Sequence, residues 1–135
     1  MKELEKYGLH DTQFNNIILS ENGLTLTFNS GIYILDQSHK ECNLTKQCEL
    51  IIKIMRFSST RLYEHLEVNV YKKNKFYEVD FFDFIEIVEK NHFNIDDVFY
   101  SSFSDSILIK GFSGKNKIEF LISEISNIEI HFIES

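Results

Sequence analysis

His10 and Asp11 stand side by side, and an imidazole next to a carboxylate is the pairing that general acid–base chemistry uses. Adjacent residues of an extended chain point to opposite faces. The pair therefore reads first as a turn or cap leading into a strand, with His10 bonded locally. A second cluster is His39, Cys42 and Cys48, where imidazole and thiols come close in sequence. A structural zinc site is four-coordinate, and here the H-x2-C-x5-C spacing is not a standard one and no fourth ligand adjoins. A Cys42 nucleophile served by His39 would also need a group to orient the histidine, and none is near. No metal or other cofactor is expected, and the two thiols are expected to stay free in a reducing compartment.

Two further motifs fail on spacing. The run Gly111-Phe112-Ser113-Gly114-Lys115-Asn116 has two residues between its glycines and Asn after Lys, whereas a phosphate loop needs four and then Ser or Thr. It also places Lys115 where a nucleophile elbow needs its last glycine, so it reads as a hairpin turn. His65-Leu66-Glu67 matches half of a zinc-deaminase signature, but the P-C-x-x-C half is absent from a chain without proline. It reads as a strand with an outward-facing charge. No nucleophile–base pair or complete metal set assembles from the sequence. The expectation is therefore no enzyme activity, the rival being a hydrolase of dispersed residues such as His10 with Asp80 or Cys42.

The remaining conspicuous chemistry is acidic: Glu78, Asp80, Asp83, Glu86, Glu89, Asp96 and Asp97 gather in one stretch. A solvated helix face explains such a run. The sharper reading makes Asp83, Glu86, Glu89, Asp96 and Asp97 a docking surface for a basic partner, because charge of this kind raises association rates by steering.

The elements that must carry these residues follow from periodicity. Phe14 to Leu19 is an apolar-rich run, Ser20 to Gly23 a turn whose Asn-Gly supplies the positive φ of a hairpin, and Leu24, Leu26 and Phe28 alternate with Thr25 and Thr27. With Ile32 to Leu35 after the Asn29-Ser30-Gly31 turn, this reads as a three-stranded meander. The polar stretch from Gln37 to Gln47 reads as a long loop. Strands are expected at Leu50–Phe57, Leu66–Val70 and Phe76–Val79, the last two joined through a lysine-rich turn with Lys72, Lys73 and Lys75. The period then changes. Phe81, Phe84, Ile85 and Val88 recur at i, i+3, i+4 and i+7, the stripe of an amphipathic helix over 81–91, with Asp80 as N-cap and Asn91 as the stop. Strands follow at Ile107–Phe112, Ile118–Ile122 and Ile128–Phe132. The class is α+β with β dominant, about eight to ten mainly antiparallel strands and one main helix, two-sheet packing being favoured over a closed barrel.

The chain's 135 residues suit one domain, spanning 1–135, and a chain of this size buries roughly 68% of its unfolded surface without needing a metal or disulfide. The 43% hydrophobic content argues against disorder. The formal net charge of −7 argues against a nucleic-acid partner, which requires a basic surface. The start, Met1 to Lys6, is charged where a signal peptide would be apolar, and no apolar run nears the roughly 20 residues of a membrane helix. A cytoplasmic protein is expected, with no membrane partner.

Tyr7-Gly8-Leu9-His10-Asp11, the following hairpin and the ending Gly31-Ile32-Tyr33-Ile34-Leu35-Asp36 resemble the opening of small uncharacterised β-rich proteins of low-GC Gram-positive bacteria. The pattern of a helix, then Phe93-Asn94-Ile95, then hairpin strands is also similar. Some small acidic proteins of this style are immunity proteins that neutralise toxins, so the resemblance implies a type of protein and carries over no catalytic residue. The function expected is a cytoplasmic interaction protein, specifically an immunity-type inhibitor of a basic bacterial toxin. The alternative is a housekeeping or regulatory domain that binds a partner strand at a sheet edge. Unprotected edge strands leave a homodimer open.

Overall fold

Three antiparallel sheets organise the chain in the computed structural model, which describes residues 2–133. After a short 3-10 helix at Lys2–Lys6, the strands are β1 (Tyr7–Gly8), β2 (Gln13–Phe14), β3 (Asn16–Leu19), β4 (Gly23–Phe28), β5 (Tyr33–Leu35), β6 (Glu41–Leu44) and β7 (Cys48–Ile54). A second 3-10 turn at Leu62–Glu64 precedes β8 (Leu66–Lys72) and β9 (Lys75–Val79). Helix α1 (Phe81–Asn91) leads into β10 (Phe93–Ser101), β11 (Ser106–Ser113), β12 (Asn116–Ile122) and β13 (Ile125–Phe132). The sheets order as β2-β10-β11-β12-β8-β9, as β13-β7-β4-β3 and as β1-β5-β6. Among the described residues no helix is long and apolar enough to cross a membrane.

Alternation fixes the two larger sheets. Cys48, Leu50, Ile52 and Ile54 of β7 are buried with Leu24, Leu26 and Phe28 of β4, while Val68, Val70, Ile107, Ile109, Ile118 and Phe120 line the inner face of the six-stranded sheet. Helix α1 lies on that inner face. Phe81, Phe84 and Val88 are buried, and Phe84 meets Phe120 at 5.0 Å and Phe93 at 5.9 Å between ring centroids. Phe93 in turn stacks on Phe14 at 4.8 Å, and Phe14 meets Phe28 at 5.8 Å. This chain of rings runs from the four-stranded sheet through β2 and β10 into the helix, and with 150–250 Å² buried per aromatic side chain it dominates the core.

The helix has the expected bounds. Asp80 sits in extended backbone and its carboxylate accepts the Phe82 N–H at 2.8 Å, satisfying a first-turn donor. Replacing Asp80 by alanine is expected to lower stability by about 1 kcal/mol, read as an earlier urea midpoint, whereas Asp80→Asn keeps the cap and leaves the midpoint in place. At the other end the reversal falls on His92, at φ 60, whose N–H reaches the Val88 carbonyl at 2.7 Å; Asn91 is the last helical residue.

Four expectations are corrected. Thirteen strands are present among the described residues, rather than eight to ten, and a small third sheet joins the two larger ones. The meander is a hairpin only: β3 pairs with β4, but β5 leaves to pair with β1 and β6. The polar stretch 37–47 is not all loop, since Glu41–Leu44 pairs with β5. Gly23 belongs to β4 rather than to a primed turn, and its glycine is required because a Cβ there would lie 2.0 Å from the Ile52 carbonyl oxygen of β7. The Gly114-Lys115 turn, in contrast, is a two-residue hairpin turn with Gly114 at φ 61, and Lys73-Asn74 turns β8 into β9 with both residues at positive φ.

Candidate functional site

Helix α1 turns its buried aromatic residues inward and leaves Asp83, Glu86 and Glu89 in solvent. Phe82, Glu86 and Glu89 follow i, i+4 and i+7 and so share one stripe, in which Phe82 is 56% exposed. None of the three carboxylates is in an ion pair among the described residues. Beside the start of α1 lies a cleft of about 420 Å³, rimmed by Tyr63 and Phe82 and floored by Leu62, Leu66 and Phe81. Both rim rings escaped attention in the sequence. Phe82 is legible from its helical spacing to Glu86, whereas Tyr63 is placed only by the 3-10 turn before β8.

Asp96 and Asp97 do not join this stripe. They fall at a bulge, where the β10–β11 register shifts between Ile95 and Asp97. Val98 pairs with inward-facing Ile109, so its neighbour Asp97, opposite Lys110, points from the outer face of the sheet while α1 covers the inner one. Asp97 therefore lies on the opposite side of the sheet from the three carboxylates of α1, and Asp96 is the extra residue of the bulge between them.

That outer face carries its own pattern. Phe99, Leu108 and Leu121 form one row across β10, β11 and β12, and Phe112, Lys117, Tyr71 and Phe76 form another across β11, β12, β8 and β9. Phe99, Phe112, Tyr71 and Phe76 are all exposed. Its lysines lie down on the rings: Lys110 Nζ is 5.4 Å from the Phe99 centroid and 3.4 Å from Glu119, and Lys117 Nζ is 5.6 Å from the Tyr71 centroid. The outer face of the four-stranded sheet is polar apart from Ile18 and Ile51, with Thr25, Thr27, Glu49, Lys53, Glu129 and His131.

His10 and Asp11 do touch, contrary to the opposite-face expectation. Asp11 adopts φ 60 in a turn, held by its N–H to the Ile95 carbonyl at 2.9 Å, so the side chains no longer diverge. His10 Nδ1 lies 3.2 Å from Asp11 and 3.6 Å from Glu41 of β6. These three exposed groups could offer ligand atoms to a divalent cation, all within 4.8 Å of one another. Glu41 was not foreseen because it comes from a strand without apolar periodicity. The thiols stand apart in environment: Cys42 is exposed, with Sγ turned to the Lys40 carbonyl, while Cys48 is buried and burial pushes its thiol pKa up. In the His65-Leu66-Glu67 motif Glu67 is exposed as expected, but His65 is inside, its side chain 3% exposed, packed near Phe57 with Glu124 3.9 Å from Nδ1 and no hydrogen-bond partner for either ring nitrogen among the described residues. A second cleft of about 410 Å³ gathers Leu4, Tyr7, Leu35, His39 and Tyr100, and burial there pushes the Tyr100 phenol up to about 12.

Comparison with family models, with curated proteins and with solved structures finds no match.

Proposed function

We propose that this chain is an interaction protein that captures a basic protein partner, in the manner of an immunity-type inhibitor of a bacterial toxin. The observation that supports this reading is the exposed side of α1: Glu86 and Glu89 share a stripe with exposed Phe82, Asp83 stands next to it, and none of the three carboxylates is in an ion pair among the described residues, on a helix anchored by buried rings. The charges steer a basic partner and the aromatic ring supplies the kind of anchor on which binding energy concentrates. A helix fixed by its own core contacts presents that set without an ordering cost.

The test uses the purified product of the neighbouring gene as partner, provided that product is toxic when expressed alone. The Asp83→Lys, Glu86→Lys, Glu89→Lys variant is expected to keep its fold by circular dichroism, to associate on the order of 10–1,000 times more slowly at low salt, and to lose protection of cells. Association unchanged by charge reversal rejects this surface, and a harmless neighbour rejects the inhibitor reading.

A second reading, partner binding by strand addition, is favoured by one observation. Strand β9 is an open edge of the six-stranded sheet, and all its residues but Val79 are exposed. Binding there would be indifferent to charge reversal on α1.

A further inference from the structure

We propose that His10, Asp11 and Glu41 bind a first-row divalent transition-metal ion such as Zn²⁺, at a site separate from α1 and independent of the partner reading. The donors come from two elements. His10 and Asp11 occupy the turn between β1 and β2, flanked by buried Leu9 and Thr12, and Glu41 opens β6. The turn is fixed to β10. The Asp11 N–H donates to the Ile95 carbonyl and the Ile95 N–H donates to the Thr12 carbonyl, each at 2.9 Å. Glu41 is set by its pairing with Leu35 of β5. One imidazole and two carboxylates are thus presented from backbone that other contacts already hold.

Spacing and charge select the occupant. His10 Nδ1 stands 3.2 Å from Asp11 Oδ2 and 3.6 Å from Glu41 Oε1. Two donors bonded to one zinc ion at about 2.0–2.2 Å lie about 3.3–3.6 Å apart at tetrahedral angles. Both spacings therefore approximate edges of a coordination tetrahedron. All three donor atoms lie within 4.8 Å of one another, so rotation of exposed carboxylates closes the set. No Lys or Arg stands within 4 Å of either carboxylate among the described residues. A divalent ion neutralises both acids and takes the lone pair of the neutral imidazole. The imidazole also sets this group apart from a surface cluster of acids alone: Ca²⁺ and Mg²⁺ prefer oxygen shells, whereas a nitrogen donor suits Zn²⁺ and its neighbours. Three protein donors leave a position to water, the arrangement of an open zinc site rather than a closed structural one.

The experiment titrates Zn²⁺ into the full chain by calorimetry and follows the histidine rings by heteronuclear NMR. The expected result is saturable binding of one ion per chain, with the coordination shift at His10 Nδ1. His10→Gln, Asp11→Asn and Glu41→Gln are each expected to weaken binding at least about tenfold. All three side chains are exposed, and Asn tolerates the left-handed backbone of position 11 as Asp does, so these variants keep the fold. Cys42→Ser is expected to bind unchanged, which separates this site from the thiol and imidazole of Cys42 and His39. The charge-reversed α1 variant also binds unchanged, so failure of the α1 reading and failure of this proposal are distinguishable. An absence of saturable binding would leave only an imidazole–carboxylate pair and overturn the proposal. Binding that Glu41→Gln leaves intact, binding that Cys42→Ser abolishes, or a coordination shift at His39 or His131 in place of His10 would each overturn it as well.

Discussion

Replacing Phe84 by alanine is expected to remove about 3–5 kcal/mol of stability, the usual range for truncating a buried phenylalanine. The residue is fully buried and touches Phe81, Phe93 and Phe120, so it is the point at which α1 is fastened to both β10 and β12. Its loss removes the transfer free energy of the ring and leaves a cavity walled by three other rings. Rigid aromatic neighbours drawn from three elements cannot collapse into that space together, which places the cost toward the upper end. Domains have about 5–15 kcal/mol in total, so the variant should be marginal, with a thermal midpoint about 10–20 °C lower for a chain of this length. Phe82→Ala, two residues away but exposed, is the matched control and should fall within about 0.5 kcal/mol of the parent. A midpoint shift for Phe84→Ala below about 5 °C would show that the helix is not held by this ring.

Gly111→Ala is expected to cost at least about 3 kcal/mol, the top of the normal overpacking range. A Cβ at Gly111 would lie 2.0 Å from the Asn94 carbonyl oxygen and 2.8 Å from a ring carbon of Phe93. The obstruction is backbone on a paired strand, and relieving it means parting β10 from β11 next to the bulge at Ile95–Asp97. Gly8 provides the contrast, because its Cβ would meet only the tip of the Leu35 side chain at 3.0 Å, which can rotate away. Gly8→Ala is accordingly the mild control. Urea denaturation should rank Gly111→Ala far below Gly8→Ala, and amide exchange should place the added opening on β10 and β11. Equal midpoints for the two alanine variants would refute the backbone argument.

Local periodicity made much of this architecture legible. Leu24, Leu26 and Phe28, Leu66, Val68 and Val70, and Ile118, Phe120 and Ile122 alternate cleanly with polar residues and are strands. Asp80 followed by Phe81, Phe84 and Val88 announces α1 to the residue. Strand β10 was missed because Asp96 and Asp97 stand consecutively where alternation requires one apolar residue, and the bulge that absorbs the extra residue resets the pattern. Strand β6 was missed because all four of its residues are exposed, which leaves no period to detect. The departure of β5 to a third sheet is a matter of partner choice, which a strand's own residues do not encode.

The candidate surfaces were legible in the same uneven way. Asp83, Glu86 and Glu89 were correctly placed in solvent, yet their separation from Asp97 depends on which sheet face the helix covers. The contact of His10 with Asp11 depends on a left-handed backbone at Asp11, a conformation that Asp tolerates better than most residues but does not announce. The aromatic rows of the outer sheet face arise from residues distant in sequence, such as Tyr71 and Phe112, and exist only once the register of four strands is set.

The pairing of β2 with β10, which sets Phe14 opposite Phe93, bears on how fast the chain can reach this state. The stacked rings belong to two strands of one sheet with more than half of the chain between them, and β13 likewise returns to β7 only after β8 to β12 have intervened. Loop-closure entropy must be met before either contact repays it, so the rate-limiting barrier should fall in the millisecond-to-second range of high-contact-order β proteins. The β8–β9 and β11–β12 hairpins can close locally long before then. During that interval only the pairs inside each hairpin, Tyr71 with Phe76 and Leu108 with Leu121, are in place and the core is not, so the kinetics of this topology expose apolar pairs before anything can cover them.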